Sequence, residues 1–351
     1  MAQAVIQGMH IRGIATSVPD HTFDNVRDTT AFSKTDVRKV VAMAGVTERR
    51  VADDATCSSD LCFAAAEELI ASVQWPRESI DGLIMVTQTP DYFMPSSSCV
   101  LHKRLGLSPQ CATFDLGLGC SGYVYGLWLA SMMLKSGGLH RVLLLHGETP
   151  TRYASPDDRA VSLLFGDAGS ATALERDTGS DGPSSYFTLH TDGSGYDDLI
   201  VEAGGFRDRF CADPRAHYVK MNGANVFNFT IKTIPRLIED TLRLAGRPAE
   251  DIDFFVFHQS NRFIINHLIG TCSLPADRVP IVLDRFGNAG GPSLPLTITQ
   301  GLADHAGRRA LSLMLLGYGV GLSWGAALVT LPADAVVRHV NYMSAAVAAT
   351  E

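Results

Sequence analysis

Charge of one sign never accumulates in this 351-residue chain. Lys and Arg total 29 against 37 Asp and Glu, and the formal net charge is −8. With no basic run interleaved with aromatics, the electrostatic footprint of a nucleic-acid-binding protein is absent. Metal-ligand spacing is equally scarce. The seven cysteines (Cys57, Cys62, Cys99, Cys111, Cys120, Cys211, Cys272) form no closely spaced pairs of the zinc-site kind and are odd in number. They read as reduced thiols of a cytoplasmic protein, with no metal site. No charged N-terminal stretch leads into an apolar core, so no secretion signal is expected.

One long hydrophobic run is present. Residues 310–333 carry no charge, a length that alone would suit a membrane span. Glycines at 317, 319, 321 and 325, and the alternation after Gly321, predict instead two buried strands joined by a tight turn, so no membrane association is expected. At 46% hydrophobic content the chain can bury a large core, consistent with two fused halves.

Chemistry-bearing residues recur at one kind of position, the end of a strand where a helix begins. Cys120 lies in Phe114-Asp115-Leu116-Gly117-Leu118-Gly119-Cys120-Ser121-Gly122, before an apolar helical stretch at 123–134. Unpaired N–H groups and the helix dipole favour a thiolate there, and hence a covalent acyl-transfer role; a buried structural thiol is the plainer alternative. His258 ends a predicted strand at 251–259 and precedes a helical stretch at 262–270. Asn288 follows a predicted strand at 279–283 and leads into a predicted helix at 293–306. Open α/β sheets place ligands at the carboxyl ends of their strands. Helix capping for Asn288 and a satisfied core imidazole for His258 are the plainer readings, but three such residues at equivalent positions argue for a shared site.

The chain also repeats itself. Residues 86–127 and 256–296 both run strand end, helix, strand closing in Asp and glycines, helix; residues 164–175 resemble 318–330. In this overlay Cys120 falls close to Asn288, and His258 near Thr87 and Gln88. A duplicated α/β unit with functional groups from both copies predicts a pseudo-twofold core with its site between the halves.

Over nearly its whole length the chain resembles the β-ketoacyl-acyl-carrier-protein synthase III family of the thiolase superfamily. The resemblance rests on GCSG at Cys120, HQSN at 258–261, GNAGGPSLP at 287–295, GYGVGLSWGAALV at 317–329, and Asp158-Arg159 ahead of Phe165-Gly166-Asp167. It implies a five-layered α-β-α-β-α fold and a homodimer. It also implies decarboxylative condensation of a Cys-bound acyl group with a malonyl thioester, carried by Cys120, His258 and Asn288. No permanent cofactor is implied; acyl-CoA and acyl-carrier protein are the expected substrates and partners. The expected division is 1–180 for the half with the nucleophile, 181–331 for the half with His and Asn, and 332–351 for an extension, with 336–348 as a short helix. Backbone N–H groups of Cys120 and Val320 would hold an oxyanion, since close approach at Gly319 and Gly321 requires small residues. His258 and Asn288 would donate to the enolate oxygen left by loss of carbon dioxide.

Departures from the family pattern concentrate at the substrate mouth. Family members stack adenine between a Trp and an Arg; Arg159 matches the Arg, whereas Lys39 stands near the Trp position and could meet a phosphate. Gly223 and Asn261 fall at substrate-binding positions. Met94 takes a pocket-lining place often held by Phe and contributed across the dimer, which permits a primer larger than acetyl. Lys232 and Arg262 are candidates for docking a carrier protein. Three other readings remain open at this stage. The first is acyl transfer from Cys120 to an alcohol or amine without decarboxylation, and the second a papain-like hydrolase with Cys, His and Asn in that order. The third is a non-catalytic dimer partner.

Overall fold

The structure is a computed structural model that describes residues 2–136, 138–177 and 182–344. The chain opens with β1 (Ala2–Ile6) and β2 (Met9–Pro19). A short pair, β3 (Thr22–Asp24) and β4 (Glu48–Arg50), brackets α1 (Asn25–Asp28) and α2 (Lys34–Ala44). Helix α3 (Ser58–Val73) leads to β5 (Gly82–Val86), α4 (Ser97–Arg104), β6 (Ala112–Leu116) and α5 (Gly122–Lys135). Next come β7 (Arg141–Glu148), α6 (Arg159–Ser162), β8 (Ala168–Arg176) and β9 (Ser185–Thr191). A long connection carries the short pair β10 (Leu199–Ile200) and β11 (Lys220–Met221) and two 3-10 turns, Gly193–Gly195 and Pro214–His217. The chain closes with α7 (Gly223–Ala245), β12 (Phe254–Phe257), α8 (Arg262–Thr271), α9 (Leu283–Phe286), α10 (Ser293–Gly301), β13 (Leu311–Gly319), β14 (Ser323–Leu331) and β15 (Val336–Tyr342).

Two mixed sheets form, ordered β15-β2-β8-β7-β5-β6 and β1-β9-β14-β13-β12. Overlaying β2-β8-β7-β5 on β9-β14-β13-β12 reproduces the pairing directions, antiparallel, antiparallel, then parallel. This is the repeat read from the sequence. Helix α5 is apolar on every side, and its residues Val124 and Leu127 join Leu294 and Ile298 of α10 in one core between the sheets. Helices α3 and α4 cover the outer face of the first sheet through Leu69 and Leu101, joined by Leu105, the C-cap of α4. Helix α7 covers the outer face of the second with Ile234, Leu237 and Ile238, the buried stripe of a 3.6 period. The result is the five-layered α-β-α-β-α arrangement.

The uncharged run at 310–333 is the predicted strand pair, β13 and β14, in register from Leu311 opposite Leu331 to Gly319 opposite Ser323. No helix among the described residues is long and apolar enough to cross a membrane.

Several expected elements differ. The strand predicted at 251–259 shrinks to β12, and the helix predicted to 306 ends at Gly301. No strand forms at 279–283; a 3-10 turn (Ala276–Arg278) runs through irregular chain into α9. Pro280 offers no N–H to a ladder. The side chain of Gln259 takes the place of a neighbouring strand, accepting from the Val282 N–H (3.0 Å) and donating to the Pro280 carbonyl (3.4 Å).

The short helix expected at 336–348 is instead β15 as far as Tyr342, pairing parallel with β2; residues 345–348 lie outside those described. Its β-branched Val336, Val337 and Val340 suit an edge beside β2 better than a helix. Two strands therefore cross the boundaries read from the sequence. β1 joins the sheet of the second half, and β15 joins that of the first.

Candidate active site

Cys120 stands between β6 and α5, two residues before the helix, with Ser121 as its N-cap. Glycines let the neighbouring chain close over it. A Cβ on Gly319 (φ +152°) would come within 2.8 Å of the Cys120 Cβ and Sγ, and one on Gly317 within 3.0 Å of the Cys120 carbonyl. Ser121 and Ser323 hydroxyls pair at 2.6 Å, and Ser323 Oγ donates to the Val320 carbonyl at 2.9 Å, which fixes the turn. The Cys120 and Val320 backbone groups both hydrogen-bond toward the sulfur and favour its thiolate. Burial outweighs them and pushes the Cys120 thiol up to about 11. The thiolate expected from the helix terminus alone is therefore not the resting form.

His258 follows β12 and is buried. Its backbone N–H donates to Leu316 (2.8 Å), and its ring meets Tyr318 edge-on at 5.5 Å. Nδ1 lies 2.9 Å from Ser293 Oγ, which itself accepts from the Gln259 N–H at 3.3 Å. With Ser293 donating its own proton to Nδ1, the ring proton sits on Nε2, the tautomer that the proposed chemistry requires. Burial lowers His258 to about 4, so the ring is neutral across the physiological range.

Asn288 is stapled to the first half. Its N–H donates to Leu164 (2.8 Å), and its carbonyl accepts from the Gly166 N–H (3.1 Å). A Cβ on Gly166 would collide with the Phe286 carbonyl, so the FGD and FGN turns fit only through their glycines. Asn288 Oδ1 accepts from the Gly290 N–H at 2.9 Å. That leaves Nδ2, 3.3 Å from the Ser260 carbonyl, with a second hydrogen to offer.

A cavity of about 500 Å³ opens beside Cys120, lined by Gln88, Glu148, Tyr153 and apolar residues of the 196–219 segment. Its lining residue Glu148 belongs to a pair that the sequence reading missed. His146 is fully buried, with neither ring nitrogen hydrogen-bonded among the described residues, 3.9 Å from Glu148. Burial pushes His146 down to about 3 and Glu148 up to about 8, so at neutral pH the two are uncharged neighbours rather than an ion pair. The available signal was His-Gly-Glu at the carboxyl end of an otherwise apolar strand. Ser293 was missed as the partner of His258, although it lies inside the quoted glycine-rich motif.

The expected mouth residues meet in a second cavity of about 370 Å³, where Lys39, Arg159 and Asn261 stand with Asp36, Met43 and Phe263. Asp36 lies 3.9 Å from Lys39 and 4.0 Å from Arg159, so it competes for both cations. Asn261 spends its side-chain oxygen capping α8, accepting from Ile264 at 2.8 Å. Gly223 opens α7, two residues after Met221 of the same cavity. Lys232 is exposed on α7, whereas Arg262 is half-buried with its stem against Gly45. Met94 is 83% exposed beside Tyr92 and Phe93 and does not line the Cys120 cavity of its own chain.

Two duplicated halves, five layers, Cys120 and His258 just past strand ends and Asn288 in the turn after α9 are the features of a condensing enzyme of thiolase fold. Residues 114–193 match the 3-oxoacyl-[acyl-carrier-protein (ACP)] synthase III family, and residues 242–331 match its C-terminal domain. The chain is 35% identical over 324 residues to the beta-ketoacyl-[acyl-carrier-protein] synthase III of Alkalilimnicola ehrlichii, covering 91% of this chain and 98% of that one. It is 33% identical to beta-ketoacyl-[acyl-carrier-protein] synthase III 3 of Streptomyces coelicolor, covering 92% and 97%. A 3-oxoacyl-(acyl-carrier protein) synthase structure from Burkholderia xenovorans superposes with a TM-score of 0.93 at 39% identity, covering 97% and 99%. The chain belongs to the 3-oxoacyl-[acyl-carrier-protein] synthase III family.

Proposed function

We propose that the chain condenses an acyl group held on Cys120 with a malonyl thioester. Cys120 attacks the donor thioester; its carbon–sulfur bond breaks and the thiol proton ends on the departing thiol. The oxyanion of that step is met by the Cys120 and Val320 N–H groups. The malonyl thioester then loses carbon dioxide. His258 Nε2–H and Asn288 Nδ2–H hold the enolate oxygen, and the enolate carbon attacks the acyl carbonyl. A carbon–carbon bond forms, the bond to Cys120 breaks, and a β-ketoacyl thioester leaves.

The observation that carries this reading is the orientation of Asn288. Its Oδ1 is tied to Gly290, so the amide presents a donor, which simple acyl transfer does not need. Hydrolysis of the papain type has no use for an enolate-facing donor either. Exposed Tyr92, Phe93 and Met94 fit the face of a homodimer, with Met94 reaching a second copy's cavity. The donor is an acyl-CoA or an acyl-carrier protein delivered at the Lys39 and Arg159 mouth, with Lys232 and Arg262 nearest the carrier.

Incubation with a panel of acyl-CoAs and acyl-carrier proteins, then malonyl-carrier protein, tests the proposal. Intact mass should first show an acyl adduct on Cys120, then its loss as a product two carbons longer appears. Full activity in Cys120→Ala would sink the proposal.

A further inference from the structure

The cavity beside Cys120 is not uniformly apolar. Phe165, Leu199, Ile200, Val201 and Val219 give it hydrophobic walls, and Gln88, Glu148 and Tyr153 break them. Glu148 is already engaged. Its carboxyl oxygens accept from the Gln88 N–H at 2.8 Å and from Thr89 Oγ1 at 3.0 Å.

Among the described residues, Tyr153 and Gln88 are engaged only through their backbones and, for Tyr153, its ring. The Tyr153 carbonyl accepts from the Val219 N–H at 2.8 Å, and its ring meets Phe165 edge-on at 6.0 Å. No described residue hydrogen-bonds its hydroxyl, and the residue shares the cavity wall with Cys120 and Glu148. The Gln88 side-chain amide rests over Gly119, next to Cys120, and is likewise unpaired among the described residues.

At about 500 Å³ the space is far larger than an acetyl group needs. A plain alkyl chain filling it would strip water from both polar groups and return no hydrogen bond. Leaving a desolvated donor unpaired is costly, and sites built to hydrogen-bond a substrate reject analogues that lack the partner.

We propose that Tyr153, assisted by Gln88, selects an acyl primer carrying a hydroxyl, oxo or amino function beyond its thioester carbonyl. The carbon skeleton lies against Phe165, Leu199 and Val219, and the polar function meets the Tyr153 hydroxyl. This inference rests on acylation of Cys120 as proposed above.

The test is kcat/KM for Cys120 acylation, read by intact mass, with matched CoA thioesters: hexanoyl against 5-hydroxyhexanoyl, and benzoyl against hydroxybenzoyl. The native enzyme should favour the polar member of at least one pair by about tenfold or more. Tyr153→Phe should bring that ratio close to one, chiefly by faster acylation from the plain member. A native enzyme that favours the plain member of both pairs, or takes both members equally, overturns the inference. So does a polar preference that Tyr153→Phe leaves unchanged. In each of these cases the Cys120 reading survives, because adducts form. No adduct from any thioester, with iodoacetamide still alkylating Cys120, overturns that reading and the inference with it.

Discussion

At Cys120 two effects oppose each other. The helix terminus and two backbone donors favour the thiolate, and enclosure by protein disfavours it; with the thiol pushed up to about 11, enclosure wins. The thiolate fraction at pH 7 is then on the order of 10⁻⁴, from a pKa about four units higher. Iodoacetamide alkylation of the free enzyme should therefore rise about tenfold per pH unit through the neutral range, with mass gain at Cys120. A rate already level by pH 8 would show that the backbone donors outweigh burial. For His258 the sign runs the other way. Burial lowers it to about 4, so the neutral donor persists across the working range and is lost only as pH falls toward that value. Malonyl decarboxylation should thus be insensitive to His258 titration between pH 6 and 8. His258→Ala and Asn288→Ala should each cut decarboxylation by about 10²-fold or more, as for loss of an oxyanion donor. Acylation of Cys120 should suffer less. Equal losses in both half-reactions would mean that these side chains hold the fold rather than the enolate.

The junctions between elements decide where those side chains point. Gly291 lies against His146, and a Cβ there would overlap the imidazole and also approach the Gly119 carbonyl to 2.7 Å. Gly291→Ala should cost about 1–3 kcal/mol of stability, as overpacking does. It should also slow acylation, because Gly119 carries Cys120. Adding His146→Ala should restore part of both losses, leaving only the Gly119 contact; strictly additive effects in denaturant unfolding would refute the interlock. Much at this scale was legible in the sequence. The glycines at 317, 319 and 321 predict two strands joined by a tight turn, the resemblance implies that this turn approaches Cys120, and Gly317 and Gly319 do press against it. The misreading at 279–283 has a physical cause, since Val279, Ile281 and Val282 look like a strand while their backbone partner is a side chain, Gln259. Likewise β15 was invisible as a strand because its partner is β2, more than three hundred residues away in sequence. His146 left no periodic signal, since the four residues before it, Val142–Leu145, are uniformly apolar, and its significance comes from its contact with Gly291.

Across the whole molecule, the cavity beside Cys120 is walled by Gly290, which donates to Asn288, and His258 packs on Tyr318 of β13, so the proposed site draws on residues far apart in sequence. The stapling of Asn288 to Leu164 and Gly166 makes the halves interdependent, and the exchange of β1 and β15 ties them at their ends. At the mouth, Asp36 already shares Lys39 and Arg159 in exposed pairs that contribute little individually. Under the proposed function, charge there would steer a donor more than hold one. The central claim is that one chain joins two reactions, decarboxylation and carbon–carbon bond formation, at a single sulfur. Single-turnover analysis of enzyme already acylated on Cys120, mixed with malonyl-carrier protein, tests it most directly. The account predicts that carbon dioxide, β-ketoacyl product and free Cys120 appear together in equal amounts. Loss of the acyl group from Cys120 to an alcohol, an amine or water, with the malonyl thioester intact, would contradict it.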